Sequence, residues 1–81
     1  MLKIDGHDNA ILGPAFMWNN NQLVQTLVYD AEQIRENLMN DGMTSEEARE
    51  FIEFNIEGAY LGDGTPILVW TQDEWSDWIE E

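Results

Sequence analysis

QLVQTLVYDAEQIRENLMN, residues Gln22 to Asn40, changes its hydrophobic period at Asp30. Gln22 to Tyr29 is rich in strand-forming residues and partly alternating, the pattern of a half-buried strand. Beyond Asp30, Ala31, Ile34 and Leu38 recur at steps of three and four and share one helical face. Asp30 with Gln33 three positions later has the form of a capping box, which places the helix start. A strand that feeds straight into an amphipathic helix predicts a mixed fold.

Upstream, Ala10 to Trp18 (AILGPAFMW) is a second apolar run, interrupted by Gly13 and Pro14. Such an interruption suits an edge strand or a bulge. Asn19-Asn20-Asn21 is a turn cluster, so the two runs predict a β-hairpin. Met1 to Asn9 is polar and reads as irregular. Downstream, Asp41-Gly42 breaks the chain, and Thr44 with Glu47 opens a second helix that runs to Gly58. Its apolar side carries Ala48, Phe51, Ile52 and Ala59, with Asn55 at the centre of that side. A buried amide there needs partners, most simply the backbone of a loop or strand. Gly62, Asp63 and Gly64 mark a tight turn, and Pro66 to Trp70 reads as a third strand. Thr71 with Glu74 opens a short acidic amphipathic helix over residues 71–81. The fold class expected is α+β: a single domain over residues 1–81, with a three-stranded antiparallel sheet, a helical hairpin on one face in the order ββααβ, and the C-terminal helix added.

Eighty-one residues allow one modest core. Zero cysteines exclude disulfides, thiolate catalysis and the usual structural zinc sites. No apolar run approaches the ~20 residues of a membrane span, so the chain reads as soluble and cytoplasmic. Seventeen acidic residues against three basic ones (Lys3, Arg35, Arg49) give a formal net charge of −14. That charge repels nucleic acid and anionic membranes and attracts basic protein surfaces.

Catalytic and metal chemistry find little support. His7 is the only histidine and reads as a surface side chain; Ser45 and Ser76 stand in first turns of helices, where serine is common for capping alone. No glycine sits in the ligand pattern of an EF-hand, and no phosphate-binding glycine motif is present. Neither a metal nor a cofactor is expected, and the chain does not read as an enzyme.

Two surfaces stand out as candidates for binding. Glu46, Glu50, Glu53 and Glu57 recur at steps of four, three and four, within about 60° of one another, as a carboxylate stripe roughly 16 Å long. The stripe is either a solvated face or a surface for a basic partner. Like charges at these spacings cost about 0.2–0.5 kcal/mol per pair, and no lysine lies among them. In the C-terminal segment Trp75, Trp78 and Ile79 share one side, while Asp73, Asp77, Glu80 and Glu81 fall on the other. Those tryptophans either pack on the sheet or anchor a partner or a second copy of the chain.

DNAILG (Asp8–Gly13), VYD (Val28–Asp30), DGMTSEEA (Asp41–Ala48), EFNIEGAYLG (Glu53–Gly62) and Thr65-Pro66 together resemble a family of small, acidic, uncharacterised bacteriophage proteins. The EFN-x-x-GA-x-x-G element is the most specific part, and the tail beyond Trp70 falls outside the resemblance. It brings no catalytic residues with it and implies action inside a bacterial host. By analogy with anti-CRISPR and anti-restriction proteins of similar size and charge, the expected function is to bind and block a nucleic-acid-binding defence protein, as a DNA mimic, through the acidic residues named above. The alternative is an adaptor or homodimeric accessory protein that uses an apolar surface around Trp75 and Trp78.

Overall fold

The structure, a computed structural model, describes residues 2–57 and 64–72. Its regular elements are strands β1 (Ile11–Asn19) and β2 (Gln22–Asp30), helices α1 (Ala31–Asn40) and α2 (Ser45–Ile52), and strand β3 (Ile67–Val69). A 3-10 turn over Asp8–Ala10 leads into β1, and a π turn over Glu53–Glu57 follows α2. The class is α+β, as expected.

β1 and β2 form the hairpin in register Trp18↔Leu23, Phe16↔Gln25 and Ala15↔Thr26. Its two-residue turn holds Asn20 and Asn21 at φ 52° and 64°, the left-handed pair that a right-twisted hairpin demands and that asparagine tolerates. The expected interruption is a register shift between Ile11 and Gly13, so Leu12 bulges out of the ladder.

The sheet is mixed, which corrects the antiparallel expectation. In the order β1-β2-β3, β3 runs parallel to β2, with Val28↔Ile67, Tyr29↔Leu68 and Asp30↔Val69. A parallel neighbour needs a crossover of a dozen residues or more. Fourteen residues, 53–66, separate α2 from β3, enough chain to bring β3 in alongside β2 in the same direction. The Thr26 hydroxyl fixes that return, donating to the Thr65 carbonyl at 2.7 Å with the Gly64 carbonyl at 3.0 Å. Gly64 has φ +85°, where a side chain would be strained.

α1 begins where the period changes. Asp30 accepts from the Glu32 N–H at 3.0 Å, but the box is not closed, because Gln33 Nε2 donates to Asn37 Oδ1 instead. The helix ends at Gly42 (φ +107°), with Gly42 N–H donating to Met39 O and Met43 N–H to Leu38 O, a Schellman stop. At Thr44 the predicted capping box is complete. Met43, delivered by the stop, packs against a core of Ala10, Tyr29, Ile34, Leu38, Ala48 and Ile52.

Polar groups hold the periphery to this core. Ile4 N–H donates to the buried Tyr29 hydroxyl at 2.8 Å. Asn37 exchanges two hydrogen bonds with Asn9 and lies 3.0 Å from His7 Nδ1, so His7 belongs to a cluster on α1 and does not stand free on the surface. Arg35 pairs with buried Glu32 at 2.6 Å and donates to Ser45 Oγ at 3.1 Å, which joins the two helices. Breaking such a pair from one side strands a buried charge. Arg35→Met should therefore cost about 3 kcal/mol in urea denaturation, and adding Glu32→Gln should recover most of the loss.

Candidate protein-binding face

α2 does not continue to Gly58 as one α-helix. Its regular part ends at Ile52, and the π turn that follows rotates less per residue, which shifts the phase of every side chain beyond. Asn55, expected in the core, is exposed as a result. So is Phe54, at 79%, while Phe51 on the last α-helical turn is partly open. Ala48 and Ile52 alone keep their expected burial among the described residues of this element.

The carboxylates of the stripe fare differently from one another. Glu46 and Glu50 are exposed, and Glu53 pairs with Arg49 at 3.4 Å. The Arg49 guanidinium also lies 4.2 Å from the centre of the Trp70 ring, within cation–π range. Glu53 thus helps to orient the arginine that ties α2 to the end of β3. The stripe, which has no lysine among its glutamates, is relieved at this point by an arginine. Arg49 and Glu53 stand at i,i+4, so the relief was legible from spacing. The side chain of Glu57 lies outside the described residues, as do Asp73, Trp75, Asp77, Trp78, Glu80 and Glu81 and the helix expected to carry them. Thr71 is described; its hydroxyl donates to Asp30 Oδ1 at 2.9 Å.

Beside Glu46 and Glu50 lies a feature absent from the sequence reading. Met43, Glu47, Glu50, Phe51, Phe54 and Asn55 line an open hollow of about 350 Å³. Met43, Glu47, Glu50 and Phe54 follow helical spacing, so one face presents carboxylates and aromatic rings together. Its only forewarning was Phe54, an aromatic that fitted neither the stripe nor the apolar side. Glu47 is positioned by the cap: Thr44 N–H donates to Glu47 Oε1 at 3.0 Å, and Glu47 N–H donates to Thr44 Oγ1 at 3.2 Å. Chemically the hollow suits a cation with an apolar stem, since rings take the stem and carboxylates the charge.

Among the described residues no group of three or more acidic, histidine or cysteine side chains is placed to hold a metal ion, and no helix is long and apolar enough to cross a membrane. Comparison with known proteins adds no relative: no protein-family model, curated protein or solved structure matches the chain.

The backbone N–H of Thr44, and secondarily its hydroxyl, hold the Glu47 carboxyl below its ordinary value. A depressed folded-state value means stability that is present above the ordinary glutamate range and is lost as pH falls through the lowered value. Thr44→Pro keeps the observed φ of −74° but removes both donors. In a carboxyl NMR titration Glu47 should move upward toward the ordinary value in that variant.

Proposed function

We propose that this protein binds a basic surface of a nucleic-acid-binding protein and blocks it by occupancy, without turnover. What carries the proposal is the α2 face, where Glu46, Glu47 and Glu50 stand exposed beside the rings of Phe51 and Phe54. The partner inserts an arginine or lysine into the hollow, its stem against the rings and its charge against Glu47 and Glu50. A volume near 350 Å³ is at the small end for ligand sites and accommodates one long side chain. The acids around it steer the encounter, and the net charge of −14 keeps competing nucleic acid away. In the setting suggested by the phage-protein resemblance, the partner is a defence protein of the bacterial host and the site of action its cytoplasm.

The hollow separates this function from simple acidity. A solvated acidic helix would tolerate replacement of its aromatics, whereas an arginine socket would not.

The test starts with a host protein retained at low salt and released at high salt, which is then scored for loss of duplex DNA binding in a gel-shift competition. Glu47→Lys with Glu50→Lys should weaken competition by about a hundredfold, and Phe54→Ala by roughly tenfold (about 1.4 kcal/mol). Unchanged competition by both folded variants sinks the proposal.

A further inference from the structure

Ala10 to Tyr29 contains no charged residue, in a chain where a quarter of the residues are charged. These twenty residues are almost the whole hairpin. Its end is nevertheless open to solvent: Trp18 is 74% exposed and Phe16 62%, and Met17 and Leu23 are exposed as well. Trp18 and Leu23 are directly opposite across the ladder, and Phe16 lies two residues from Trp18, so all three share one face.

The backbone is open at the same place. The turn at Asn20-Asn21 makes Asn19↔Gln22 a hydrogen-bonded pair, and alternation makes Trp18↔Leu23 and Phe16↔Gln25 non-bonded pairs. The N–H and C=O groups of Phe16 and Trp18 therefore point away from β2, toward the outer edge of β1, which is the edge of the described sheet. Pro14, next in that series, has no N–H to leave open. Natural edge strands are blunted with charge, and Ala15 to Asn19 has none.

We propose that a second copy of this chain covers the edge, by antiparallel pairing of β1 with β1 about a two-fold axis at Met17. Phe16 then lies opposite Trp18 of the second copy, and Trp18 opposite its Phe16, each pair exchanging two backbone hydrogen bonds. The surface is complementary to itself, as a two-fold interface requires. Absence of charge selects this occupant. A neutral edge gains nothing from a basic partner, while between two strongly acidic chains only an uncharged surface can close without repulsion. Phe16 and Trp18 together expose roughly 250 Å² per copy, and their flanks, with Met17 and the paired backbones, supply an apolar contact at the small end of specific interfaces.

The Trp75–Trp78 segment is a poorer occupant. Thr71 is bonded to Asp30, seven residues along β2 from Leu23, a separation of about 23 Å. Four residues carry the chain at most about 14 Å, short of that distance for Trp75, and Trp78 would cover it only with all seven residues fully extended, without the helix its sequence predicts.

The experiment uses the full chain. Sedimentation velocity should give twice the 9.4 kDa monomer mass, with association strengthened by added salt as acidic repulsion is screened. Across the proposed axis Met17 faces its own copy in a non-bonded pair about 4.5 Å apart, close enough for a disulfide. Since the chain has no other cysteine, Met17→Cys should form a covalent dimer under mild oxidation, and Met39→Cys on α1 should not. Trp18→Lys, at a site remote from the core, should give a folded monomer and suppress cross-linking of Met17→Cys. A wild-type monomer at all salt concentrations overturns the proposal. So does a dimer in which Met17→Cys cross-links no faster than Met39→Cys, or one lost with Trp75→Ala and Trp78→Ala but not with Trp18→Lys.

Discussion

The end of β2 is the constraint on which the rest of this structure depends. Tyr29 is fully buried among the helices, and its hydroxyl accepts from Ile4, so one side chain holds both core and N-terminal segment. Asp30, the next residue, accepts from Glu32 at the start of α1 and from Thr71 just beyond β3 through the same oxygen. A two-residue step thus joins the hairpin, the helical layer and the returning strand. Small domains have little stability to spare, and concentrating long-range ties at the central strand is an economical way to obtain a unique fold from a modest core.

Charge is distributed with the same economy. Lys3 pairs with Asp8, Arg35 with Glu32 and Arg49 with Glu53. Each basic side chain therefore serves a local ion pair that joins or orients elements. The carboxylates of Glu46, Glu47 and Glu50 stay exposed on one face, and the hairpin carries no charge before Asp30 at its end. Folding separates the chain into a strongly acidic region and a neutral apolar one.

Local signals in the sequence were strong wherever one residue decides one element. Asn20-Asn21, Asp30, Gly42 and Thr44 each act within a few bonds, and the hairpin, both helix starts and the break between the helices were legible from them. Direction of β3 was not, because it depends on where Thr26 catches the returning chain, a contact between residues nearly forty apart. The π turn was equally hidden. A period of 3.6 extrapolated past Ile52 places Asn55 inside and Phe54 at the margin, whereas the wider turn exposes both. Part of the candidate site was visible as Glu46 and Glu50, but the hollow needed the aromatics, and their exposure follows from that change of helical pitch.

Acidic face and neutral edge respond in opposite ways to the solvent. Contacts between carboxylates and a basic partner weaken as salt screens them, while apolar contact between two like-charged copies strengthens under the same screening. A protein built of acidic residues alone would have no means of self-association at any ionic strength, and one without them would have an unprotected edge that invites open-ended sheet growth. Pairing about a two-fold at Met17 closes after one partner. β1 would be consumed on both copies, which leaves, among the described strands, β3, three residues long, at each end of the joined sheet. The net charge of −14 then opposes further addition, so the charge that would favour a basic partner would also limit how far the chain's own strands assemble.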